Sequence, residues 1–195
     1  MVGTERLDGV RRLVSTFKSF IMALTAVTTL WVVPLMTYAS KNNANEGGIG
    51  QFKAILLMTT DSDTALENWT QPTPGAHIPD TDIAIKGQAI EALVIFTGCK
   101  ANDSGNCDTE IDYRIEAPDG SLYAEYLGTE LWKDKPAIPE GKIQLAVDRV
   151  GFIADPEDQI GTYAIFCTVR DQVAGVEFSI SSQFKIVETS KGGKQ

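Results

Sequence analysis

Acidic side chains and cysteines are the residues here whose types and spacing could do chemistry. Asp103, Asp108, Glu110 and Asp112 fall within ten residues around Gly105 and offer oxygen ligands of the kind Ca²⁺ takes. Their spacing departs from the helix-loop-helix calcium loop, which wants acids at positions 1, 3 and 5 and a Glu at 12. Asp61, Asp63 and Glu67 form a weaker acidic group in a polar stretch. Cys99 and Cys107 flank the Ser/Gly/Asn-rich run Lys100–Asn106, and in an oxidising compartment they are expected to pair; Cys99–Cys167 is the alternative connectivity. Cys167 lies mid-strand between Ile165 and Val169, where a buried, inert thiol is expected. Trp69, Trp132 and Tyr126 border polar segments and are candidates for a binding patch. Asn68-Trp69-Thr70 and Asn102-Asp103-Ser104 match the glycosylation pattern, which has meaning only in a glycosylating host.

Other chemistries are excluded by what the sequence lacks. The lone histidine, His77, sits in a Pro-rich turn and reads as a surface residue, and with no Cys-x-x-Cys pair a structural zinc site has no ligands. No Gly-x-Ser-x-Gly elbow, phosphate-binding loop or dinucleotide fingerprint occurs. Catalytic residues and a cofactor are therefore not expected. A net charge of −9 argues against a nucleic-acid partner.

The elements that must position these groups begin with an address. Arg6, Arg11, Arg12 and Lys18 lead into the uncharged apolar run Phe20–Met36, and the small residues Thr37 and Ala39 suit cleavage after Ala39. Residues 1–39 thus read as a signal peptide; the alternative is an uncleaved anchor, the one route by which this chain would touch a membrane. Removing that segment's four basic and two acidic residues leaves 13 Lys+Arg against 24 Asp+Glu, a net charge of −11. The expected location is periplasmic or secreted. Residues 40–50 read as a flexible leader, 51–188 as the folded domain and 189–195 as a disordered tail.

Within the domain, short apolar or alternating runs are punctuated by Gly, Pro and Asp every eight to twelve residues. Strands are expected at 52–59, 81–85, 89–97, 110–116, 122–127, 143–152, 163–170 and 176–187, with a loop over Asp61–Asp80 and a hairpin turn at Pro118-Asp119-Gly120. Seven to eight antiparallel strands call for two packed sheets, an all-β immunoglobulin-like sandwich.

The stretch Asp155-Pro156 through Gly161-Thr162-Tyr163, followed by a strand, a Gly turn and Phe184-Lys185-Ile186-Val187, resembles the C-terminal half of macroglobulin-like domains. Lys86-Gly87-Gln88-Ala89-Ile90 is similar to their Pro-Gly-Glu-x-Val entry, with Lys86 in place of Pro, and Ala117-Pro118-Asp119-Gly120 to their hairpin. The resemblance covers residues 80–188 and makes Gly161, Tyr163, Pro118 and Gly120 fold-motif residues. It implies an immunoglobulin-like sandwich of the sort found in many bacterial envelope proteins. The Cys-x-Glu-Gln thioester and the bait segment of alpha-macroglobulins are absent, so protease trapping is excluded. What the resemblance implies is a non-catalytic binding or assembly module meeting a protein partner of the cell envelope through loops or a sheet edge, with a periplasmic ligand or Ca²⁺ carrier using residues 103–112 as the alternative. A hydrolase built on Asp/Glu pairs is a third possibility.

Overall fold

The computed structural model describes residues 44–71 and 77–188. The expected signal segment and the C-terminal tail lie outside the described residues. Ten strands and one helix occur among those described. β1 (Glu46–Ile49), β2 (Phe52–Thr59), β4 (Ala89–Thr97), β7 (Gln144–Leu145) and β8 (Val150–Ile153) form sheet A, in which β7 and β8 both pair with β4. β3 (Ile83–Ile85), β10 (Val176–Val187), β9 (Gly161–Asp171), β5 (Asn106–Glu116) and β6 (Leu122–Pro136) form sheet B in that order. Each pairing is antiparallel except β3 with β10. The all-β, two-sheet expectation holds, with more strands than the seven to eight expected.

The inner faces alternate as the two-residue period demands. Phe52, Ala54, Leu56 and Met58 of β2 face Ile111, Tyr113 and Ile115 of β5 and Tyr163, Ile165 and Cys167 of β9 in one buried core. Both sides of the sandwich are stitched between sheets. The Ser181 N–H donates to the Ala44 carbonyl at 2.9 Å on one side, and the Val147 N–H to the Leu131 carbonyl at 3.0 Å on the other.

Three expectations need correction. The leader assigned to residues 40–50 contributes β1, which enters between β2 and β10; a Cβ on Gly47 would meet Ile180 Cγ2 at 2.9 Å, so a residue without a side chain lets the strand in. The supposed loop over Asp61–Asp80 contains α1 (Ser62–Thr70), whose first turn is capped by the Asp61 carboxylate accepting the Thr64 N–H at 3.2 Å. The single strand expected over 143–152 is two, because the chain leaves sheet A to bond Leu131 and Glu130 of β6 through Val147 and Asp148.

The fold-motif residues meet at one corner. The Tyr163 hydroxyl donates to the Gln159 carbonyl at 2.9 Å, and Gly161, at φ +147°, turns the chain so close to Pro118 that a Cβ would lie 2.9 Å from the proline's own. The turn at Ala117 closes by the Gly120 N–H donating to the Ala117 carbonyl, with Gly120 at φ +84°. A Gly161→Ala substitution is expected to cost about 1–3 kcal/mol through that clash and its backbone strain. Urea unfolding should show a lower midpoint at unchanged slope; an unaltered midpoint would show that the corner yields freely.

Candidate functional site

β5 positions the acidic candidates, and its period places them on the outer face of sheet B. Asp112 pairs with Arg170 of β9 at 2.6 Å and accepts the Gly128 N–H at 2.7 Å, while Arg170 also holds Glu177 of β10 at 2.5 Å. The Arg170 hydrogen bond holds the Asp112 carboxyl below its ordinary value, and the two carboxylates raise the guanidinium's. Glu110 accepts from Lys133 Nζ at 3.0 Å and from Gln172 Nε2 at 3.2 Å. Asp108 lies 3.8 Å from the same ammonium. Asp103 is exposed in the turn before β5, away from these pairs. The carboxylates therefore face cations across strands instead of converging, and no group of three or more His, Cys, Asp or Glu that could hold a metal ion occurs among the described residues.

Cys99 and Cys107 are bonded, with Cα atoms 5.9 Å apart, which realises the expected pairing, a bond of the kind that oxidising compartments sustain. Closing so short a loop contributes about 2–3 kcal/mol by the chain-entropy relation. Cys167 is a free, buried thiol opposite Tyr113 in the β5–β9 register, and burial pushes its pKa up. The Tyr113 hydroxyl beside it is buried without a hydrogen-bond partner, and its pKa is raised by the same desolvation.

The three aromatic candidates are placed apart. Trp69 packs with Ala65, Leu66 and Ile78 over Leu57, Leu93, Ile95 and Leu145 on the outer face of sheet A. Trp132 lies 6.1 Å from Phe96, donates from Nε1 to the Pro136 carbonyl at 2.9 Å and carries the Lys135 ammonium 5.6 Å from its ring. Tyr126 is 46% exposed, in β6. His77 is exposed, and its carbonyl accepts from the Asn68 amide at 2.9 Å. The Asn102 side-chain oxygen accepts the Ser104 and Asn106 N–H groups and so shapes the disulfide loop.

Sequence reasoning did not find the apolar trough beside α1. The helix covers one part of the outer face of sheet A and leaves a recess of about 420 Å³ lined by Gly48, Lys53, Ile55, Ile95, Thr97 and Ile143. Ile143 is 59% exposed and Ile55 39%. The signal was legible: β2 and β4 are apolar on both faces, the mark of a sheet covered on both sides.

The fold and site define an all-β sandwich domain. No protein-family model matches the chain, and no curated protein does. Solved structures that it is similar to include a Niemann-Pick type C2 protein from the Japanese carpenter ant, at 13% identity and TM-score 0.40, covering 72% of this chain and 94% of that one. The CARDB domain of a Pyrococcus furiosus protein, solved with di-metal ions, matches at 12% identity and TM-score 0.35 over 73% of this chain and 100% of that one. A family 123 glycoside hydrolase from Clostridium perfringens matches at 8% identity and TM-score 0.39 over 72% of this chain, which spans 28% of the hydrolase. At these identities and TM-scores the likenesses assign neither a site nor an activity.

Two outcomes follow from the electrostatics. Bonds from Ser121 and Gln159 hold Asp119 down to about 2, and Lys135 lowers Glu130. Carboxylates depressed in the folded state stabilise it fully above their unfolded pKa, near 4, and lose that contribution as pH falls through the folded value. Urea midpoints should fall between about pH 4 and pH 2 and fall less steeply in Asp119→Asn; equal slopes would remove Asp119 from the account. Cys167 should resist a thiol-reactive reagent until denaturant is added, and rapid labelling of the native protein would contradict its burial.

Proposed function

We propose that this chain is an exported, non-catalytic binding module of the cell envelope, periplasmic or secreted, that docks a protein partner on the outer face of sheet A. The recess beside α1 carries this reading, because Ile55 and Ile143 stand exposed beside Ile95 on a sheet face that the helix leaves uncovered, between the charged Glu46 and Lys53. It favours a sheet face over the loop or edge contact that the sequence led us to expect. The edges of sheet B are defended: β6 has four register shifts against β5, and the outward N–H groups of Ile83 and Ile85 in β3 are taken by the side chains of Thr81 and Gln88. Consumption of the β5 carboxylates in ion pairs supports a non-catalytic role. The basic and apolar N-terminal segment and the disulfide support export. The corner formed by Tyr163, Gly161 and Pro118 supports an immunoglobulin-like sandwich, the broader class that contains the macroglobulin-like modules.

The test is a photo-crosslinking residue installed in the cell at position 143 and, separately, at position 168 on the outer face of sheet B. One adduct of a single envelope protein, formed from 143 and not from 168 and lost on adding Ile55→Glu, is the expected result. Equal adducts from both positions, or recovery of the uncrosslinked chain alone from 143, would overturn the docking face.

A further inference from the structure

Three connections meet at the end of the sandwich that carries the disulfide, and one buried carboxylate joins two of them. Asp171, the last residue of β9, is 1% exposed. Its Oδ2 accepts the Lys100 N–H at 2.7 Å, and its Oδ1 accepts the Ala174 N–H at 2.9 Å. Lys100 lies inside the loop closed by Cys99 and Cys107, whereas Ala174 belongs to the turn between β9 and β10, which has no cysteine. Within the same disulfide loop the Gly105 carbonyl accepts the Ala137 N–H at 3.0 Å, from the chain just past β6.

A carboxylate this deeply buried depends on its donors, since an ion stripped of a hydrogen bond away from water bears its desolvation uncompensated. If the disulfide loop opens, Asp171 loses the Lys100 donor and must turn toward water. Doing so removes the side-chain anchor of the β9–β10 turn and leaves the Gly175 N–H bonded to the Asp171 carbonyl to close it alone at its tip.

We infer that the Cys99–Cys107 bond is the latch of a redox-dependent ordering switch, in which Asp171 transmits the state of the disulfide loop to the β9–β10 turn. The switching step is thiol–disulfide exchange with a dithiol. Its thiolate attacks the Sγ of Cys99, the residue with the greater exposure of a buried pair at 7% against 0% for Cys107, and the Cys107 sulfur leaves as a thiolate that takes up a proton. The dithiol's second sulfur then displaces Cys99. The S–S bond of the protein is broken, the dithiol ends as a disulfide, and two electrons and two protons have passed to the protein's cysteines. Oxidised, the end is closed; reduced, loop and turn are released together. The switch is independent of the docking face on sheet A, so either can fail without the other.

Hydrogen exchange of the purified full chain, oxidised and in dithiothreitol, tests this by mass spectrometry. Protection at Lys100 and at Ala174 should fall about tenfold or more on reduction, while Ile165 and Val169 in the middle of β9 stay protected. In Asp171→Ala, which has no side-chain acceptor, Ala174 should exchange quickly in both states and ignore the reductant. Opening at Lys100 with Ala174 unchanged would overturn the coupling. Loss of protection at Ile165 and Val169 as well would also overturn it, because the bond would then hold the whole sandwich and not its end.

Discussion

Four aromatic rings packed across the two sheets are the constraint on which the architecture depends. Phe152 of sheet A lies 4.9 Å from Tyr163 and 5.2 Å from Phe184 of sheet B, with Tyr123 of β6 4.8 Å away on another side. Tyr163 and Phe184 stack at 5.4 Å with an interplanar angle of 10°. Such pairs add to the area they bury and fix the spacing of the sheets. Each ring that carries a hydroxyl also fixes a loop: Tyr163 bonds the Gln159 carbonyl, and Tyr123 bonds Asp158, whose carboxylate in turn accepts the Asp155 N–H. The connections over 117–121 and 155–161 thereby become extensions of the core. Gly161 is favoured there because a Cβ would press on Pro118 at 2.9 Å and strain the backbone.

The strands that the sequence makes plain are those whose pattern answers to the core alone. β2, β4 and β10 run over the residues expected of them, since continuous or alternating apolar runs bounded by polar turns have one solution in a two-sheet fold. β1 was not legible, because Glu-Gly-Gly-Ile has no apolar period and its place is set by the closeness of Gly47 to Ile180, a tertiary fact. The helix was hidden for a different reason. Nine residues give too few turns for a helical period to emerge, and the neighbouring prolines point to a loop, although the Asp61 cap and the spacing of Ala65, Leu66 and Trp69 were its signature.

The candidate site shows the same division. Cysteine count and the polar run between Cys99 and Cys107 left two pairings open; the fold decides between them by putting Cys167 mid-strand opposite Tyr113. The acids of β5 admitted Ca²⁺ binding as the alternative reading because a metal-binding loop and a strand with one charged face share a composition. The distinguishing feature is the two-residue step from Asp108 to Glu110 to Asp112, which sends all three to one face, and the deciding partners come from distant strands. Lys133 and Arg170 belong to β6 and β9, so no local window of sequence contains the cations that neutralise the row.

The outer faces of the two sheets thus solve the problem of solvent in opposite ways. Sheet B turns a charged face outward and neutralises it across neighbouring strands, where partly exposed ion pairs add little stability but keep the face wet. Sheet A turns Leu57, Leu93, Ile95 and Leu145 outward, a pattern that needs a third layer, and α1 supplies that layer over part of the face. A nine-residue helix is about 13 Å long at 1.5 Å per residue, comparable with four residues of strand at about 3.3 Å each. It cannot cover β2 and β4, of eight and nine residues, from end to end. Ile55 and Ile143 stand where the cover stops. The isoleucines at the uncovered end are the cost of a cover one layer too short, and on the docking face proposed above a partner that completed the layer would return that cost as buried apolar area.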